Sequence, residues 1–142
     1  MSRLPSLAAL EGCWLMVRMI EHADGRRDVF EGESIFHRSG PRLLQDETGV
    51  LTPARGGHAL KATRRYVWSG SGARIDVAFG DMRPFHSVPV GVSTYETTYL
   101  CPPDRYEVFY DFNDFPNWST VWSVEGPRKA YRMLTRFSRL KD

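Results

Sequence analysis

The chain is predicted to be all-β: one antiparallel up-and-down β-barrel of about ten strands, spanning 1–142, with a short helical turn at its N-terminus. Three observations carry this reading. Short alternating apolar/polar runs recur at roughly 8–12-residue spacing, the pattern of a sandwich or a barrel. Tight-turn signals join neighbouring runs, at Asp24-Gly25, Gly40-Pro41, Gly70 to Gly72, Gly80-Asp81 and Gly126-Pro127. Each strand then meets the next as a hairpin, which favours an up-and-down barrel over a Greek-key sandwich. Aromatic residues make up 13% of the chain, a composition suited to strands and to ligand pockets.

In chain order, Ser6 is placed to cap a helical turn through Leu7 to Leu10 that Gly12 ends. The first strand follows, with Trp14, Met16, Arg18 and Ile20 on one face and Cys13, Leu15, Val17 and Met19 on the other. Both faces are apolar, so its start is expected to be covered on both sides. After the turn at His22 to Gly25, a second strand runs from Arg27 to Arg38, and Gly32 in its middle marks a bend or a close backbone approach. Arg42 to Glu47 reads as a shorter strand, and Thr48 to Leu60 as a weak strand and a loop. Further strands run from Leu60 to Trp68, Arg74 to Phe79, Arg83 to Val88, Val92 to Leu100 and Tyr106 to Phe112. The last hairpin, Trp118 to Arg139, turns at Gly126 to Lys129, where proline presets φ. It puts Trp118, Thr120, Trp122 and Val124 on one face, and Tyr131, Met133, Thr135 and Phe137 on the corresponding face of its second arm. A hairpin of that length needs other strands over its aromatic face.

Composition excludes several classes. A length of 142 residues suits one domain, and the net charge is only +2 with the basic residues scattered. A nucleic-acid partner normally requires a basic stripe, so none is expected. No segment has the length of a signal peptide's apolar core or of a membrane span, which points to a cytoplasmic protein without membrane contact. Cys13 and Cys101 do not make a disulfide framework, and the histidines at 22, 37, 58 and 86 have no metal-ligand spacing. Neither a metal nor another cofactor is expected. A homodimer through the outer face of a strand pair stays open.

The Gly12-Cys13-Trp14 opening resembles the G-x-W start of the calycin superfamily, the lipocalin-like barrels. With R-x-Y-x-W at Arg64 to Trp68, F-x-D-x-R-x-F-H at Phe79 to His86, C-P-P-D-R-Y at Cys101 to Tyr106 and W-x-V-x-G-P-R-K at Trp122 to Lys129, nearly the whole chain is similar to a bacterial family of calycin-like domains of unknown function. The resemblance implies a barrel whose N-terminal turn closes one end. It also implies a tryptophan packed under an arginine of the last strand, a part open to Arg136 or Arg139. The chain departs from the family pattern at Tyr99, where a histidine is expected, and at Gly80 and Met82 within an F-x-D-G-R-x-F-H stretch.

The predicted interior face gathers Trp14, Phe30, Phe36 and the candidate ligand-binding residues Arg18, Arg64, Tyr66, Trp68, Phe85, Tyr106, Tyr110, Trp122 and Tyr131; two further candidates are His86, beside Phe85, and Lys129, on the rim beside Arg128. Buried guanidinium groups need a carboxylate, hydroxyls or an anionic ligand. One reading is therefore a cavity for a small, partly apolar, anionic molecule. The other has Arg18 and Arg64 tied to Glu47, Glu96 or Asp81. His86 reads as a structural histidine bonded to backbone at a strand end, Cys101 as a buried thiol, and Asp104 as bonding its own turn. No catalytic triad, P-loop or dinucleotide fingerprint appears. An enzyme acting on such a ligand through His86, Tyr106 or Arg64 is the alternative, and a structural protein with a filled barrel a second one.

Overall fold

Strand pairing in the computed structural model, which describes residues 3–4 and 6–140, follows chain order around the barrel wall. The ten strands are β1 Gly12–His22, β2 Arg27–Ser39, β3 Arg42–Thr52, β4 Leu60–Ser71, β5 Arg74–Phe79, β6 Pro84–Pro89, β7 Thr94–Cys101, β8 Asp104–Asp111, β9 Trp118–Glu125 and β10 Ala130–Arg139. All neighbours are antiparallel, in the order β6-β5-β4-β3-β2-β1-β10-β9-β8-β7. The β1–β10 pair brings the first and last strands together. No ladder joins β6 to β7, so the barrel is nearly closed, with one seam bridged by side chains.

Alternation decides what fills it. Trp14, Met16, Phe36, Leu43, Trp68, Ile75, Val108 and Phe137 are among the inward residues and are almost fully buried. The ladder of the last hairpin pairs Trp118 with Phe137, Thr120 with Thr135 and Trp122 with Met133, all on the inner face.

The end at which β1 begins is closed by a 3-10 turn, Leu7–Leu10. Trp14 fixes it there: its indole Nε1 donates to the Leu10 carbonyl at 2.8 Å. The arginine over Trp14 is Arg139, its guanidinium carbon 4.0 Å from the ring centroid, and it donates to the carbonyls of Glu11 and Ala9 at 2.8 and 2.7 Å. Arg136 points outward and is exposed. Gly12 has φ +129°, and a Cβ there would lie 2.5 Å from an Arg139 nitrogen. The glycine of G-x-W therefore leaves room for the arginine that stacks on its tryptophan.

Four expectations are corrected. β3 continues to Thr52 and is paired on both sides. Its glycine-bearing half is a place of close approach: a Cβ on Gly32 would stand 2.0 Å from the Thr48 carbonyl oxygen. The outer face of β1 is not covered, since Leu15 and Val17 are each 42% exposed. The side chain of Ser6 makes no capping bond; its carbonyl accepts from the Ala9 N–H instead. Cys101 is exposed, as is Cys13, and both are free thiols. Among the described residues no helix is long and apolar enough to cross a membrane.

Candidate functional site

A buried ion pair divides the barrel interior. Arg18 of β1 and Glu47 of β3 face each other with both guanidinium nitrogens engaged, at 3.2 and 3.0 Å. Only 13% and 3% of the two side chains is exposed. Arg18 Nε donates to Thr135 Oγ1 at 2.8 Å. Behind Glu47, Gln45 donates to Ser34 at 3.0 Å and accepts from the Trp68 indole at 2.8 Å. Charge in a low-dielectric interior requires such neutralisation and satisfaction. Of the sequence-derived alternatives for Arg18, the structure shows pairing with Glu47.

Above the pair, a cavity of about 400 Å³ opens at the end where β1 finishes and β2 begins. Its volume lies in the range of small-molecule sites, about 300–1,000 Å³. Phe30, Leu51, Phe79, Trp122 and Met133 supply apolar wall, while Arg64, Tyr66, Tyr106 and Tyr131 bring polar atoms to it. Arg64 is exposed in this mouth; it stands opposite Glu47 on the β3–β4 ladder, but Glu47 is taken by Arg18, and among the described residues Arg64 makes no ion pair. Neither Glu96 nor Asp81 serves: Glu96 is exposed on the other side of the barrel wall, and Asp81 binds Arg83 at 2.7 Å. The Tyr66 phenol beside Arg64 raises that guanidinium's pKa further. Burial, reinforced by Glu47, pushes the Tyr66 hydroxyl up to about 12. His22, which also lines the mouth, sits 2.7 Å from Asp28.

Below the pair lies a void of only about 20 Å³, lined by Trp68, Phe85, His86, Tyr110 and Thr120. That is room for a single water. His86 Nε2 and the Tyr110 hydroxyl share a hydrogen bond of 2.5 Å, and among the described residues the buried His86 Nδ1 has no partner. His86 is thus bonded to a tyrosine across the barrel, not to backbone as expected. Burial pushes its pKa down to about 4 and raises that of Tyr110.

Of the predicted ligand residues, Arg18, Arg64, Tyr66, Tyr106, Trp122 and Tyr131 meet in the mouth. Trp68, Phe85, His86 and Tyr110 lie in the lower void, which shares Arg18, Tyr66 and Trp122 with the mouth. Phe85 also closes the seam, its ring centroid 5.1 Å from that of Tyr99. Lys129 stands on the rim, 3.3 Å from Asp104 and 3.4 Å from the Tyr106 hydroxyl. Asp104 therefore bonds across to the next hairpin, not within its own turn. Gln45, Thr120 and Thr135 were not singled out from the sequence. Carrying the inward parity of Glu47 two residues back along β3 to Gln45, and reading the threonines of the last hairpin as inward, would have found them. Among the described residues no cluster of three or more metal-ligating side chains forms.

The chain belongs to a family of unknown function (DUF6314), whose sequence profile matches residues 10–139. No curated protein sequence matches it. Its fold is similar to that of the S-type phycobiliprotein lyase CPES from Guillardia theta, with a TM-score of 0.63 at 8% identity over 95% of this chain and 90% of that one.

Proposed function

We propose, for this member of a family of unknown function, that the barrel mouth binds a small, partly apolar ligand carrying an acidic group. One observation carries the reading: a cavity of about 400 Å³ with aromatic walls whose one cation without an ion pair among the described residues is Arg64. The guanidinium fork matches a carboxylate or phosphate in geometry. The hydroxyls of Tyr106 and Tyr131 stand on the same side to accept or donate, and the Trp122 ring offers a face for the ligand's body. Arg18, already neutralised by Glu47, acts as floor. The fold of a phycobiliprotein lyase is compatible with a barrel that holds a small molecule.

The test uses 1-anilinonaphthalene-8-sulfonate, an anionic amphipathic fluorophore, on freshly purified protein after native mass spectrometry has reported any molecule carried along. Saturable binding is expected, weakened about tenfold by Arg64→Met, the cost of one charge-assisted contact. Unchanged affinity in Arg64→Met would remove the mouth from consideration as the anion site. The enzyme alternative separates on turnover of whatever molecule the mass spectrum identifies. The filled-barrel alternative draws support from the packed lower half of the interior, and an absence of saturable binding would favour it over the proposal.

A further inference from the structure

An exposed apolar strip on the outside of the barrel is flanked by two rows of unpaired charge of opposite sign. Leu15, Val17 and Met19 point outward from β1 and are 42%, 42% and 41% exposed. Opposite Leu15 and Val17 on β2 stand Glu33 and Glu31. Opposite Val17 and Glu21 on β10 stand Arg136 and Arg132. All four charged residues are exposed, and among the described residues none has an ion-pair partner. Asp111 and Asp114 border the hollow beside Arg136 without pairing to it.

A few exposed apolar side chains are ordinary on a protein surface and carry nothing alone. The placement of charge is what distinguishes this face, because Glu31, Val17 and Arg136 form one row across three strands. Such a row complements itself under one operation. A two-fold axis along β1 lays each copy's β2 over the partner's β10 at the same height. Glu31 then meets the partner's Arg136 twice, and Leu15, Val17 and Met19 meet their own counterparts. Val29 and Leu134, which flank Met19, meet across the same axis. An axis perpendicular to the strands would stack Glu31 on Glu31 and Arg136 on Arg136, which repel.

We propose that a second copy of this chain docks on the outer face of β10-β1-β2 about an axis parallel to β1. At the Glu21 end the outward row is Arg27, Glu21 and Arg132, with Arg27 held by Glu21 at 3.1 Å. There Arg27 faces the partner's Arg132 across the same axis; both are exposed and solvent screens that like charge. Three strands about 4.8 Å apart and seven residues long at about 3.3 Å each give a strip of roughly 300 Å² in projection. That is well below the roughly 800 Å² each partner buries in a standard complex. The dimer is therefore weak and reversible. Its strands run parallel, so both mouths open in the same direction and stay free.

Sedimentation velocity from about 10 to about 500 μM spans the affinities expected of a small interface. Wild type is expected to shift from monomer to dimer across that range, and Val17→Glu to stay monomeric with an unchanged circular dichroism spectrum. Glu31→Arg and Arg136→Glu are each expected to weaken association about tenfold or more, while the double variant returns to within about threefold of wild type. A monomer at every concentration overturns the proposal. So does a dimer indifferent to Val17→Glu, a double variant no tighter than the singles, or vesicle binding through the strip in place of self-association.

Discussion

The two halves of this barrel share strands and alternation yet differ in content. Toward the plugged end the interior is solid. Trp118 stacks on Phe137 with centroids 3.9 Å apart, and it meets Trp14 edge-on at 5.9 Å. Phe36 meets Trp68 at 5.4 Å. Toward the mouth the wall is made by Ala62, Thr63 and Arg64 on β4 and by Tyr106 and Tyr131 near the starts of β8 and β10, leaving about 400 Å³ open. The Arg18–Glu47 pair is the boundary. Small barrels have interiors just wide enough for side chains to fill or for one small ligand. Here the size of the inward residue at each level decides between the two within a single molecule.

The largest expected effect breaks the filled half. Trp14→Ala should lower unfolding free energy by about 3–5 kcal/mol in urea titration, since a fully buried indole leaves a cavity and frees the plug. An effect under about 1 kcal/mol would mean the plugged end does not depend on this ring.

The boundary is tested next. Glu47→Leu should cost about 3–5 kcal/mol because it leaves the Arg18 charge buried and unpaired. Arg18→Met combined with Glu47→Leu should be near neutral or stabilising. A double variant as unstable as the single would show that the pair contributes more than mutual neutralisation.

His86 gives the lower void a pH dependence. Its folded pKa of about 4 lies below the ordinary 6.5, so between those values the unfolded chain binds more protons and stability rises with pH. Acidification from about 6.5 to about 4 should therefore remove up to about 3 kcal/mol. The carboxylates of Asp28 and Asp46, held below their ordinary 3.8, titrate below this window. His86→Gln, which can still bond Tyr110, should flatten the pH profile of chemical unfolding there. An unchanged slope would place the titration elsewhere.

The smallest effect sharpens the open half. Met82, in the β5–β6 turn on the mouth rim, has φ 75°, a left-handed conformation that costs a residue with a Cβ about 1–2 kcal/mol. Met82→Gly should gain about 1 kcal/mol of thermal stability, part of the relief being offset by the freer unfolded chain, and should leave fluorophore binding unchanged. A loss of stability would mean that the Met82 side chain contributes more than its backbone costs. The glycine expected at this position in the family pattern has its physical reason in that φ.

Legibility followed locality. Alternation and turn signals are properties of neighbouring residues, so nine of the ten strands and both arms of the last hairpin were readable to within a few residues. Where the reading failed at Gly49 and His86, a distant contact had overridden local composition. Gly49 looks loop-forming by itself, yet it sits in a strand because Gly32 stands opposite it with room for no side chain. Cys101 looked buried, yet it lies at an exposed strand end. His86 suggested a backbone bond, yet Tyr110 came to it from β8 across the barrel.

By itself the amino-acid sequence determined the fold class, the inward face of most of the strands, and many of the aromatic and guanidinium groups that line the interior. Those depend on a two-residue period and on turn chemistry. Only the tertiary structure decided that Glu47 forms its ion pair with Arg18 and that Arg64, beside it, makes none among the described residues, that Arg139 and not Arg136 covers Trp14, and that one half of the barrel is filled while the other stays open. Each of those outcomes depends on which residues stand at the same height on strands far apart in the chain. Register around a closed sheet fixes that height, and no single strand carries it.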